Sequence, residues 1–335
     1  MNIFIDESGT FTCEPDKPHS VSAVGALVIP TSSMKGFEKL YGRIRNGLPK
    51  KKGEVKGKLL SEGQVADVAA ILKKVGAIFE VVTIDLGIHS DDEIQWHKNA
   101  QAERFTAHLT PKHHPNVVRQ VKELRSQLEA MPQQLYVQSV AMGELVYNTL
   151  NSANLYYSFR KAPELGKYHW AIDAKDLSKV TPWEKWWSKV ILPMLESKTL
   201  NEPFVAVEGA DFRWHDRFRT EPDEYKLRFA KKPVLGEFFD LKPMITEDFR
   251  FSSLPEYGLE AVDILTNTIR RSMSGNFSKS GWQALPQLMI HTKDHYIRLI
   301  SLKQSDAAIG DFPYMGVIND FRVGGRSMLP SHLLG

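Results

Sequence analysis

A single cysteine, Cys13, is all the thiol chemistry the chain has. It leaves no partner for an intrachain disulfide, excludes a multi-cysteine zinc site and fits a reducing compartment. Net charge is nearly absent as well: 43 Lys and Arg against 40 Asp and Glu give +3 over 335 residues. That balance does not imply nucleic-acid binding by the chain as a whole, so any such binding has to come from local patches. Long hydrophobic runs are missing too. The apolar stretch Ala23–Pro30 is too short to cross a bilayer. No basic region precedes the first apolar run, and Asp6 cuts that run short. No internal repeat is visible. The expectation is a soluble cytoplasmic protein without a membrane partner.

What is present is ordinary globular composition, 42% hydrophobic and 25% charged, so disorder is not the default. The length allows either two domains or one elaborated α/β domain. Residues Met1–Gly9 are the most informative stretch. Ile3, Phe4 and Ile5 read as a buried strand running into Asp6, Glu7, Ser8 and a terminating Gly9. An acid at the exit of a buried strand is costly unless a cation, a backbone donor or an arginine meets it.

Further along, Val21–Ile29 reads as a second strand, antiparallel to the first, ended by Pro30. Helices are predicted over Met34–Arg45 and, capped by Ser61, over Glu62–Lys74. Between them Lys50–Lys58 is basic and punctuated by glycine. It is either a solvated loop or a phosphate-facing one in which Glu54 reaches a site. Ala77–Leu86 is a third strand. From 87 to 166 helical periodicity dominates (Asp91–Leu109, Asn116–Met131, Gln134–Arg160) and reads as an α-helical insertion or cap. Strands return at Lys167–Ile172 and Pro203–Val207, with a last one at Leu241–Ile245. A helix from Thr181–Pro182 to Ser197 carries Trp183, Trp186 and Trp187, and another spans Gly258–Ser274. Residues 275–335 read as an irregular extension.

Acids recur at the ends of these strands. Asp6 ends the first and Asp173 a later one, while Asp263 interrupts the apolar run Val262–Ile264 at the edge of the face of the late helix. Converging carboxylates suit two Mg²⁺ or Mn²⁺ ions that clamp the attacking and leaving oxygens of a phosphoryl displacement. Equally, a lone Asp after a strand is often a turn or cap residue.

The opening Phe4-Ile5-Asp6-Glu7-Ser8-Gly9, with Gly258-Leu259-Glu260-Ala261-Val262-Asp263, resembles the bacterial family 3800 of domains of unknown function. The resemblance covers roughly Met1–Ser274 and implies a ribonuclease-H-like fold and a nuclease-like site. By the match, Asp6 and Asp263 are the leading metal ligands. Glu54-Val55-Lys56-Gly57 resembles the family's central acid-and-lysine segment, and Asp173 its acid at a later strand end. Family members usually place glutamine where this chain has Glu260.

Other groups carry less. Glu7 alternates away from Asp6. Ser8 lacks a histidine and acid around it, which favours hydrogen bonding in a turn over nucleophilic chemistry. His291 and His295 have the i, i+4 spacing of helical metal ligands but no third ligand; His113 and His114 read as exposed. For substrate contact, Arg213–Lys232 interleaves basic and aromatic residues, which suits phosphates and unpaired bases or else an ordinary amphipathic surface. Arg270 adds either a phosphate clamp or a helix C-terminal charge.

Together these readings predict an α/β protein, a ribonuclease-H-like mixed sheet over 1–274 with the helical insertion at 87–166. The expected function is a metal-dependent nuclease or related phosphodiester hydrolase acting on DNA or RNA. Asp6, Asp173 and Asp263 are the expected metal ligands, with Glu54 as a fourth candidate. Lys56, Lys58, Arg213, Arg217 and Arg270 are the expected substrate contacts. The rivals are a catalytically silent nucleic-acid-binding or assembly module, and a structural protein whose acids pair with lysine or arginine.

Overall fold

A computed structural model describes residues 1–14, 19–107, 109–174, 182–221, 238–252, 254–291, 295–303 and 312–333. Strand β1 (Asn2–Ser8) pairs antiparallel with β2 (Val21–Ile29), from Asn2 opposite Ile29 to Ser8 opposite Ala23. On the other side of β2, β3 (Ile78–Asp85) also pairs antiparallel. Strand β4 (His169–Asp173) joins β1 in parallel, β5 (Phe249–Ser252) joins β4 in parallel, and β6 (Ile297–Ile300) joins β3 in parallel. The result is one six-stranded mixed sheet in the order β6-β3-β2-β1-β4-β5. Only β2 runs against the rest. The C-terminal ends of β1, β3, β4, β5 and β6 therefore lie along one edge.

Helices cover both faces, which is why β2 is buried at every position and reads as a continuous apolar run. One face, bearing Ile3, Ile5, Val24 and Trp170, packs on α5 (Gln133–Ser158) and α6 (Pro182–Asn201). The other, bearing Phe4, Ala23, Leu27 and Phe79, packs on α1 (Met34–Arg45), α2 (Glu62–Lys74) and α8 (Tyr257–Met273). Ser61 and Gln64 close a capping box at the start of α2. Ser90 and Glu93 do the same for α3 (Asp91–Thr106), which is followed by α4 (Pro115–Glu129).

Four expectations change. The 87–166 region is not uniform: α3 and α4 form a hairpin, but α5 lies along β2 and β3 and is buried over most of its length. It is a core helix whose buried positions include Gln138, Ser139, Asn148 and Asn154 beside its apolar residues. Pro203–Val207 forms no strand; it is largely exposed, with Val205 N–H donating to Asn151 instead of a neighbouring strand. Leu241–Thr246 is a helix, α7, because the Asp240 carboxylate accepts the Lys242 N–H and caps it. The strand lies just beyond, where Phe249 and Phe251 alternate with Arg250. Finally, residues after 275 belong to the fold. Trp282 stacks on Phe321, Ile297 and Tyr314 are buried in the α8-side core, and β6 extends the sheet. The Trp183 and Trp186 side chains lie outside the described residues. Among the described residues no helix is long and apolar enough to cross a membrane.

Candidate functional site

The β1–β4 register places two of the acids. Ile5 stands beside Ile172, so the next positions are Asp6 and Asp173. Side chains alternate along a strand, and Phe4 and Ala171 face the α8 core. Asp6 and Asp173 share their parity and so face the same way, while Glu7 turns to the α5 side. Asp6 is 7% exposed and accepts its neighbour's backbone N–H, Glu7 N to Oδ1, at 2.7 Å.

Asp263 completes this group from α8. Its carboxyl lies beside that of Asp6, and its Oδ2 accepts the Gly57 N–H at 2.7 Å. Burial, and next to it the charge of Glu54, push the Asp263 carboxyl up; the Gly57 N–H, Lys56 and Asp6 act the other way. Asp173 is pushed up to about 6, first by burial and then by Glu54 and Asp263, against Lys56. Lys56 is the cation among them. Burial opposes its charge, but the hydrogen bond to Glu54 and the charges of Asp263 and Asp173 raise its pKa overall. Its Nζ lies 2.7 Å from Glu54 Oε2.

Glu54 and Lys56 come to the site on a short hairpin in which Lys50–Lys51 pairs with Glu54–Val55. Its two turn residues, Lys52 (φ 53°) and Gly53 (φ 85°), are both left-handed, the conformation a two-residue hairpin of this hand requires. The hairpin is tied down by Glu260. This carboxylate, 4% exposed, accepts from Arg45 Nε (2.7 Å) and Nη2 (2.6 Å), from Tyr41 OH (3.2 Å) and from Val55 N (3.0 Å). The carboxylate thus takes both of these Arg45 donors. Gly57 then lies directly against α8. A Cβ there would sit 2.7 Å from Ile264 Cα and 2.9 Å from the Asp263 carbonyl oxygen, so a side chain would lift the loop from the helix. Arg271 fastens the same loop through the carbonyls of Gly57 and Leu60.

Two residues beyond Asp6, Ser8 links β1 to α8. Its hydroxyl accepts from Asn267 Nδ2 at 3.1 Å and Arg270 Nε at 2.8 Å, a packing role and not a nucleophile's setting. No carboxylate pairs with Arg270 among the described residues, and it lies about two turns along α8 from Asp263. Lys58 is exposed on the loop after Gly57.

Other candidates lie elsewhere. Arg217 donates to the Gly166 carbonyl and pairs with Glu247 at 2.6 Å, just before β4 and β5 begin. That is the opposite edge of the sheet from Asp6 and Asp173. Arg213 is there too, paired with Asp211 on an exposed turn. Lys226, Arg228, Lys231, Lys232 and their neighbouring aromatics lie outside the described residues. His291 bonds Tyr296 OH at 2.7 Å and is not on a helix, so the i, i+4 spacing with His295 has no helical meaning. His114 caps α4. Asp85, another acid at a strand end, is fully buried and met by Tyr314 OH, His19 and the Gly87 N–H.

Sequence reasoning missed Gly57, Asn267 and the Glu260 clamp. The i, i+4 step from Asp263 to Asn267 was the only signal for the second; the others depend on a loop-to-helix approach that leaves no periodicity. Among the described residues, no three His, Cys, Asp or Glu side chains stand at metal-holding distances as they are. Comparison with family models, curated proteins and solved structures finds no match to this chain.

Proposed function

We propose that the chain is a metal-dependent phosphodiester hydrolase acting on nucleic acid, with a ribonuclease-H-like sheet and kinship to family 3800. The observation that carries this reading is the convergence of buried acids: Asp263 on α8 lies beside Asp6, and Asp173 stands in register beside Asp6 on the same face. Buried carboxyls brought this close to one another mark a place where a cation is a natural partner. The donors are all oxygens, which suits Mg²⁺ or Mn²⁺ and not a thiophilic metal. Asp6 and Asp263 would hold the ion, with Asp173 completing the set.

When bound, the ion would activate water and neutralise charge developing on the phosphate. The chain's own groups do the rest. Gly57 N–H fixes the second oxygen of Asp263, so one carboxylate edge is kept in position. Lys56, held by Glu54, puts a positive charge beside the acids where a scissile phosphate would lie. The Arg270 guanidinium, anchored through Nε to Ser8, presents its remaining N–H groups to an adjacent phosphate.

The test is incubation of labelled DNA, RNA and hybrid with Mg²⁺, Mn²⁺ or chelator. The expected result is cleavage that chelator stops and that Asp6→Asn with Asp263→Asn abolishes; cleavage unchanged by that double substitution would sink the reading. A silent nucleic-acid-binding module is the second reading, favoured by the ion pair that already occupies Glu54. It predicts binding without cleavage in any metal.

A further inference from the structure

The α3–α4 hairpin is rooted at the acid edge. Helix α3 starts after β3 ends there, and Gln133 at the start of α5 donates to the Asp91 carbonyl at 3.1 Å, so the chain leaves and re-enters at one point. Lys98, 4% exposed, fastens the base by donating to the carbonyls of Glu129 (3.1 Å) and Met131 (2.9 Å), where a cation also meets the C-terminal dipole of α4. From Lys98 the hairpin continues for about 12 Å to the end of α3.

The loop after α3 and helix α4 are strongly one-signed in a chain that is nearly neutral. Between Leu109 and Leu128 stand Lys112, Arg119, Lys122 and Arg125, against Glu123 alone. Arg125 is committed to Glu129. Lys112, Arg119 and Lys122 are exposed and have no carboxylate partner among the described residues. Arg119 and Lys122, three residues apart and so on one side of α4, line a cleft of about 690 Å³. Leu109, Pro111, Pro115 and Val118 also line it, and no acid does. Unpaired cations above an apolar floor match a sugar–phosphate chain: phosphates meet the charges, and a sugar or base packs on the floor.

We infer that this hairpin is the arm that grips the backbone of nucleic acid entering the acid edge. The inference rests on the proposed substrate but not on the proposed chemistry. It is tested by fluorescence anisotropy in chelator, where nothing is cleaved. Labelled single- and double-stranded DNA and RNA oligonucleotides would be titrated at several salt concentrations. Lys112→Gln with Arg119→Gln and Lys122→Gln should weaken binding at least about tenfold and lower the salt slope by about 3. The control Lys35→Gln, Lys39→Gln, Lys73→Gln removes the same charge from α1 and α2 on the other face and should leave binding within about twofold. The exposed positions of both triples keep the fold intact, which circular dichroism checks.

The inference is overturned if the wild-type chain binds no oligonucleotide, if the hairpin triple binds as wild type, or if the control triple loses as much. It is also overturned if polyglutamate competes as well as the oligonucleotide, because the hairpin is then a site for acidic protein. Binding that survives while no metal supports cleavage would defeat the proposed hydrolase and leave the arm standing.

Discussion

The two edges of the sheet handle charge in opposite ways. At the edge where β4 and β5 begin, acids have cations beside them: Arg213 meets Asp211, Arg217 meets Glu247, and Asp248 takes both His169 and Lys167. Burial works against the charge of Asp248, yet His169 and Lys167 hold its carboxyl below the usual range. At the edge where β1 and β4 end, Asp6, Asp173, Asp263 and Glu54 gather around Lys56, and the pKa values of Asp173 and Asp263 rise. A fold gains nothing by burying acids that repel one another. The first edge is therefore explained by pairing, and the second is the one that the proposed ion would occupy.

Substitutions should separate the edges. The largest effect is expected for Asp6→Asn with Asp263→Asn: Mg²⁺-dependent cleavage should fall by at least about 100-fold, with no loss of thermal stability, because the amides keep the hydrogen bonds and remove the repulsion. Arg217→Ala at the opposite edge should leave cleavage within about twofold and cost under about 1 kcal/mol in urea unfolding, as exposed pairs do. A drop in cleavage of equal size from both would erase the distinction.

Next comes the clamp. Glu260→Ala strands the Arg45 guanidinium and the Val55 N–H, and should destabilise by about 3–5 kcal/mol in urea unfolding. Glu260→Gln keeps an acceptor for Val55 and should lose about half as much. Equal losses from both would mean that charge on Glu260 is irrelevant.

The raised carboxyl gives a pH signature. The folded Asp173 holds its proton up to about 6, whereas an unfolded Asp releases it near about 4. Stability should therefore fall as pH rises through that window, by up to about 3 kcal/mol, and this contribution should level off above it. Mn²⁺ affinity should run the other way, weakening as pH drops below about 6, because the ion competes with that proton. Asp173→Asn should flatten both trends in urea and calorimetric titrations. A smaller effect than the Glu260→Ala loss is expected at Gly57→Ala, about 1–3 kcal/mol from overpacking, with a larger proportional loss of cleavage as Lys56 moves.

Much of this was legible in the residues. Val21–Ile29 reads correctly because burial on both faces leaves a run with no polar interruption. Asp6 stands out because an acid follows three apolar residues at a strand exit. Ser61 announces α2 through a cap that needs only local contacts. What failed had a long-range cause. Leu241–Ile245 has strand-like composition, and a cap from Asp240 decides the matter. The ion pairs of Arg213 with Asp211 and of Arg217 with Glu247, thirty residues away, were likewise not legible from the basic and aromatic pattern. The role of α5 depends on a sheet lying beneath it, which its own periodicity does not report.

The close contact of Gly57 with α8 has a consequence for recognising kin. Overall likeness can drift beyond detection while the distance between that loop and that helix cannot, since even a methyl group would separate them. A remote relative that keeps this site should therefore show a short signature of spacing: an acid at the exit of its first strand, an acid-x-lysine-glycine segment between its first two helices, and an aspartate on a late helix followed four residues on by an amide. That pattern can be sought in chains whose remaining residues share nothing with this one.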